Sequence, residues 1–223
     1  MLKRIKIFFI LFLCSLILIP SYASMFKKLD ISEKIKIADT IVIGECVKKE
    51  TKWVGGRIET TLTIKTEEYL KGNKGESFSV TLLGGEMKKP APITQFVDGQ
   101  PFFYEGEKVL LFLEPHKPIT KPIPENFKES GLITTPVIVG MYQGKYSIIT
   151  DKKTGKEKAV QIDWGRLGRV PQEYTAKKLT EMMESAEQKD SSKMKFQTET
   201  FYLDDFKKMI KEIIEKQSSA QEK

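Results

Sequence analysis

The chain has 223 residues, with 37 Lys and Arg against 30 Asp and Glu, a formal charge of +7, one histidine and two cysteines. This length suits one larger domain, or one domain with an appendage. A single imidazole, His116, excludes a multi-histidine metal centre and a histidine relay.

Lys3, Arg4 and Lys6 precede an apolar run from Ile7 to Ile19, and Pro20 then breaks the run before Ser21-Tyr22-Ala23. That order reads as a secretory signal peptide over 1–23, cleaved after Ala23 or else retained as an anchor. The run is shorter than the roughly 20 residues that cross a bilayer. Cys14 follows Leu13, where lipoprotein processing favours a small residue, so it is read as part of the discarded segment. Taking 23 residues and three cations from the 223 and the +7 leaves 200 residues, a charge of +4 and one cysteine, Cys46. A surplus of four among interleaved acids is a soluble surface and not a polyanion-binding one, so no nucleic-acid partner is expected. An exported chain with one thiol forms no internal disulfide and must rely on an apolar core.

Ile31 to Ile37 reads as a short helix with Ser32 as its N-cap. Ile41-Val42-Ile43 and Val47 then open a strand, Trp53-Val54-Gly55-Gly56-Arg57 supplies a turn, and Thr60, Leu62, Ile64 and Thr66 alternate along its return. Phe78, Val80 and Leu82 alternate with Ser77, Ser79 and Thr81 in a half-buried strand that Gly84-Gly85 ends. Residues 86–104 read as a loop with Pro90, Pro92, Gly99 and Pro101. Val109 to Leu113, apolar throughout, predicts a strand buried on both faces at the centre of the core. Residues 114–134 carry Pro115, Pro118, Pro122 and Pro124 and read as a second loop. Val137 to Tyr142 predicts a strand, Gln143-Gly144 a turn and Lys145 to Thr150 its return; Asp151 to Gly155 turns the chain into a strand around Ala159, Val160 and Ile162. Short turns between alternating segments imply an antiparallel meander, closed or nearly so.

The end of the chain differs in texture. Thr175 to Ala186 reads as a helix, with Leu179, Met182, Met183 and Ala186 on one face, and Gln188 to Met194 as a polar linker. Phe206, Met209, Ile210, Ile213 and Ile214 make an amphipathic stripe, with Asp204 as N-cap and Asp205 near the positive end of the helix dipole. This helix is expected to pack on the barrel, and its lysines to pair with Glu212 and Glu215. The organisation is thus a signal peptide (1–23), a β-barrel domain (24–165), a helical or linker segment (166–202), a C-terminal amphipathic helix (203–217) and a flexible tail (218–223). The fold class is mainly β, an antiparallel OB-like barrel with a short N-terminal helix and a C-terminal helix.

Three segments carry a resemblance: Ala38-Asp39-Thr40-Ile41-Val42-Ile43-Gly44, Glu67-Glu68-Tyr69-Leu70-Lys71-Gly72, and Gly106-Glu107-Lys108-Val109-Leu110-Leu111-Phe112-Leu113. Their order over about residues 38–150 resembles a group of exported bacterial proteins with an OB-like barrel. More distantly it is similar to the netrin-like module of tissue inhibitors of metalloproteases. The resemblance implies an OB-like architecture. It does not carry over the inhibitory device, an N-terminal cysteine held by a disulfide, because the expected mature start is Ser24-Met25-Phe26 and Cys46 has no partner.

Candidate residues have bland readings beside the sharp ones. Cys46 in the first strand reads as a small buried hydrophobe; a nucleophilic Cys46/His116 pair or a zinc site lacks the spacing that such chemistry shows. Glu105 and Glu107 at i and i+2 would share one strand face as paired carboxylates, or else face solvent beside a glycine turn. Gly84-Gly85-Glu86 lacks the Gly-Lys-Ser/Thr ending of a phosphate loop. Trp53 lies beside the first turn, and Phe96, Phe102, Phe103 and Tyr104 crowd the 86–104 loop with Lys88 and Lys89. Trp53, Phe102, Phe103 and Tyr104 are the candidate ligand-binding residues, able to stack on a sugar, a peptide side chain or a base, or else to plug the barrel's open end. Trp164 reads as packing. No catalytic residue, metal ligand or cofactor is expected.

The function expected is a non-enzymatic binding module in the periplasm or outside the cell, with an envelope protein or small ligand as partner and no membrane span after signal cleavage. The alternatives are an inhibitor or companion of a secreted metalloprotease, and a carboxylate-dependent hydrolase.

Overall fold

The computed structural model describes residues 27–88, 92–116, 123–162 and 197–221. The expected signal peptide, the Ser24 start, Lys89, Pro90, Trp164, the 175–186 helix and the 188–194 linker lie outside the described residues.

Helix α1 (Ile31–Ile37) starts at Asp30 and not at the expected Ser32. The Asp30 side chain accepts from the Glu33 amide while the Glu33 carboxylate accepts from the Asp30 amide, a reciprocal cap that Ser32, two residues further on and already inside the helix, does not make. Strands β1 (Thr40–Val54) and β2 (Arg57–Lys71) form a long antiparallel hairpin. Its two-residue turn, Gly55-Gly56, has φ of +57° and +87°. Both glycines take the left-handed backbone that a tight hairpin needs. Strand β3 (Ser77–Leu83) pairs with β2.

Residues 86–104, expected as loop, contain a small hairpin of β4 (Gly85–Met87) and β5 (Ile93–Gln95). Strand β3 does end at Leu83, before Gly84-Gly85 as expected, and Gly85 then opens β4. A Cβ at Gly85 would lie 2.1 Å from Thr60 Oγ1, so only glycine lets β4 cross so close over the first hairpin.

Strand β6 (Glu107–Glu114) pairs with β1 on one side and with β8 (Lys145–Thr150) on the other; the short β7 (Val137–Ile138) also pairs with β6. The strand expected over 137–142 stops at Ile138, because Gly140 and Met141 take left-handed backbone (φ +60° and +59°) and a 3-10 turn follows over Met141–Gly144. Strand β9 (Glu157–Ile162) pairs with β8, and β10 (Gln197–Tyr202) with β9. Residues 197–202, expected within a helical or linker segment, form β10 instead. Its alternating Thr-Glu-Thr-Phe-Tyr is a strand pattern too short to stand out beside the helix that follows. Helix α2 (Leu203–Gln221) begins at Leu203, so Asp204 and Asp205 lie in its first turn and Asp204 is not its cap.

All pairings are antiparallel, in the order β10-β9-β8-β6-β1-β2-β3. This is two meanders joined through the β6–β1 pair, not the single meander expected. Among the described residues the end strands β10 and β3 do not pair, so closure into a barrel is not shown. Among the described residues the protein is mainly β, with two α-helices and an antiparallel sheet.

Strand alternation sorts the core into two faces. Ile41, Ile43, Leu110, Phe112, Tyr146 and Ile148 pack under α1 and α2 with Phe206 and Ile210. Val42, Cys46, Leu62, Val80, Val109 and Leu111 pack on the opposite side, where Phe103 and Ile138 cover them. β6, and β1 from Thr40 to Cys46, are thus buried on both faces, as the continuous apolar run of β6 predicts. Each fully buried Leu, Ile or Phe contributes about 1.5–3 kcal/mol. Lys207 and Lys211 of α2 reach Glu68 on β2, instead of the expected pairing with Glu212 and Glu215, and so tie the helix to the sheet. No helix among the described residues is long and apolar enough to cross a membrane.

Candidate functional site

Glu107 opens β6, and Lys145 and Ser147 lie on β8. Their odd positions put all three on the face away from the helices. Lys145 Nζ donates to Glu107 Oε1 at 2.7 Å, and Ser147 Oγ donates to the same oxygen at 2.6 Å. The pair is almost wholly buried. Burial pushes the Lys145 ammonium below its ordinary pKa, against the pull of the Glu107 carboxylate. Two buried charges persist only when their hydrogen-bonding capacity is also filled.

The remaining capacity goes to an irregular segment. Lys145 Nζ also donates to the Phe102 carbonyl and lies 4.4 Å from the Phe103 ring centroid. Glu107 Oε2 accepts from the Tyr104 amide at 3.0 Å. The ion pair therefore pins three consecutive residues, Phe102, Phe103 and Tyr104, to the sheet. Phe103 is 2% exposed and sits in the core. Phe102 packs with Tyr104 against Val160 and Ile162, and its ring is 6.2 Å from that of Phe96.

Between this pinned loop and the β4–β5 hairpin lies a cleft of about 110 Å³. Leu62, Leu82 and Phe103, all core residues, make its inner wall; Val97, Phe96 and Phe102 make the outer one. Lys49 and Glu86 are its charged lining residues. Polar groups at the back are used structurally: Thr60 Oγ1 donates to the Gly84 carbonyl at 2.7 Å, and Gln95 Oε1 accepts from the Ile58 amide at 2.6 Å.

Of the four expected ligand-binding residues, Phe102, Phe103 and Tyr104 line the cleft. Trp53 is not part of the lining. It pairs with Ile58 across the hairpin and is 54% exposed. The pairs Lys49–Leu62, Thr51–Thr60 and Trp53–Ile58 share one hairpin face, so Trp53 stands one strand repeat beyond the cleft, beside the Ile58 amide that Gln95 holds. Phe96, 55% exposed, is the outermost aromatic of the lining.

The carboxylate pair does not form. Glu105 is exposed and accepts from the Lys49 amide at 2.8 Å, whereas Glu107 is buried in its ion pair. The solvent-facing reading also fails for Glu107, because a lysine on a neighbouring strand supplies the counter-charge. Cys46 is fully buried, and burial, reinforced by the nearby Glu107 charge, pushes its thiol up to about 11, the opposite of an activated nucleophile. Cys46 pairs with Glu107 at the start of β6, while His116 follows the end of that strand. At about 3.3 Å per residue the strand itself separates them by roughly 20 Å, so they form no pair. Among the described residues no group of three or more His, Cys, Asp or Glu side chains could hold a metal ion.

Lys145 and Ser147 went unnoticed in the sequence because a lysine and a serine alternating with Tyr146 and Ile148 look like the wet side of a strand. The available signal was the apolar character of neighbouring β6 on both faces, which leaves no wet side for β8 beside it.

No family model matches the chain, and no curated protein or solved structure matches it either.

Proposed function

We propose that the protein is an exported, non-enzymatic binding module of the cell envelope, with an OB-like curled sheet, whose ligand site is the cleft beside Phe96 and Phe102. The observation that carries this reading is the fastening of the aromatic loop by the buried Lys145–Glu107 pair. A binding loop held in place before the ligand arrives loses little conformational freedom on binding. The signal-peptide pattern of residues 1–23 supports export. The burial on both faces of β6 and of the first half of β1, with the cleft among the loops at one sheet edge, supports the OB-like assignment. The separation of Glu105 from Glu107, and the neutralisation of Glu107 by Lys145, argue against a hydrolase that uses this pair.

The reading is tested with a photoreactive phenylalanine at position 96, and a control at Lys208 on α2, in cells expressing the full chain. Adducts in the envelope fraction from position 96 and not from 208 are expected. Equal labelling from both positions, or adducts only in the cytosol, overturns the proposal. Inhibition of secreted metalloproteases at micromolar concentration would replace it with the inhibitor reading.

A further inference from the structure

The cleft's size and surroundings constrain what it takes. Sites for cofactors and drug-sized ligands occupy about 300–1,000 Å³. A cavity of about 150 Å³ lined by Leu, Ile and Phe holds one benzene. At about 110 Å³, with Leu62, Leu82, Val97, Phe96 and Phe103 on its walls, this cleft accommodates one apolar side chain of leucine to phenylalanine size.

What surrounds it is the outer part of a protein contact. From Pro92 to Val97 the chain reads Pro-Ile-Thr-Gln-Phe-Val with no charge, and Ile93 and Phe96 are 44% and 55% exposed. The β3 edge, by contrast, is guarded: its Thr81 amide is capped by Thr135 Oγ1. An uncharged, partly apolar edge beside a pocket marks a surface that a partner covers. Lys49 and Glu86 are the charged residues of the lining, so an acid on the occupant is favoured on the Lys49 side of the cleft and disfavoured on the Glu86 side. The Lys49 ammonium makes only a long 3.4 Å bond to the Phe103 carbonyl, and the residue is exposed at the cleft, with donors left for a carboxylate.

We propose that the cleft receives a single apolar anchor side chain from a protein partner, with an acidic residue next to that anchor meeting Lys49. The proposal rests on the cleft being the binding site. It adds the chemistry of the occupant: a peptide segment with a leucine- or phenylalanine-sized anchor flanked by Asp or Glu. Such an anchor in a desolvated pocket, ringed by weaker contacts, is how protein interfaces concentrate their affinity.

Panning random dodecapeptides displayed on phage against the purified protein tests it. Peptides sharing one apolar position with an acid within two residues are expected. Val97→Trp, which fills the cleft from a half-buried position, should weaken the synthetic consensus peptide at least tenfold while the variant keeps its unfolding transition. Lys49→Glu should weaken it about fivefold or more, and a peptide with Lys in place of the acid should recover that loss. Absence of a consensus, or binding indifferent to Val97→Trp, overturns the proposal. Phosphatidylcholine/phosphatidylglycerol vesicles form a second arm: binding to them that Phe96→Ala abolishes, without any peptide consensus, replaces the protein partner with a lipid surface. Methyl resonances of Leu62, Leu82 and Val97 that shift with benzene, without a peptide consensus, retain the cleft as a site and overturn only its peptide occupant. No shift and no consensus overturn both.

Discussion

Lys145 and Tyr146 are neighbours on β8, yet they serve opposite faces of the sheet and different kinds of structure. Tyr146 points toward the helices. Its hydroxyl accepts from Lys34 Nζ at 2.7 Å and donates to Glu199 Oε2 at 2.6 Å, so α1, β8 and β10, all regular elements, share one network. Burial and the Glu199 carboxylate push the Tyr146 phenol far up, and burial pushes Lys34 down against the pull of Glu199. The rings of Phe112, Tyr146, Phe201 and Phe206 pack round it, with Phe201 and Phe206 stacked at 4.4 Å. Lys145 points the other way and ties an irregular aromatic loop. The same chemistry, a buried lysine with a carboxylate, joins scaffold to scaffold on one face and scaffold to the aromatic loop on the other. A polar network that spends its hydrogen bonds on a loop is the one to suspect of serving a site.

The largest effects, about 3–5 kcal/mol of unfolding free energy in urea titrations, are expected at one residue on each face. Phe206→Ala opens a cavity among the stacked rings, and Lys145→Met strands the Glu107 charge. They should differ in what else is lost: hydrogen exchange at 102–104 should speed up in Lys145→Met beyond the global change, and follow only the global change in Phe206→Ala. Equal local behaviour would break the comparison. The double variant Lys145→Met/Glu107→Leu sharpens it. Removing both charges should return most of the lost stability, yet leave the Tyr104 amide exchanging fast, since its acceptor is gone.

Tyr146→Phe should cost less, about 1–2 kcal/mol, because Lys34 and Glu199 still face each other at 3.1 Å without the hydroxyl. A loss as large as that of Lys145→Met would show that the helix face depends on its polar network as much as the loop does.

The smallest effect lies in the β8–β9 turn, outside both networks. The Lys158 ammonium at 2.9 Å, with the Lys153 amide, holds the Asp151 carboxyl down to about 2 from its ordinary 3.8. A depressed carboxyl stabilises the fold above its unfolded pKa and loses that contribution as pH falls through the folded one, so the change falls between about pH 4 and pH 2. Carboxyl NMR titration should give a midpoint near 2 that Lys158→Met moves up toward 3.8. A midpoint unmoved by that variant would leave the lowering to the turn amides.

The cleft was partly legible in the sequence, as the crowd of Phe96, Phe102, Phe103 and Tyr104 in a proline-bearing loop. Leu62, Leu82 and Val97 were not, since on their own strands and loop they read as ordinary core and connection. The reciprocal Asp30–Glu33 cap could have been read from its spacing, whereas the reach of Lys207 and Lys211 to Glu68 could not, with well over a hundred residues between them in the chain.

What the sequence determined by itself is local and periodic: strand alternation, the Gly55-Gly56 turn, the doubly buried β6 and the stripe of α2 follow from side-chain spacing and backbone sterics, which act over a few residues. Only the tertiary structure decided which odd-numbered side chains of β8 meet Glu107, and therefore that the aromatic loop is fastened. That choice rests on the register of β8 against β6, set by packing between distant segments, and a slip of one residue would have put Lys145 under the helices and Tyr146 beneath the loop.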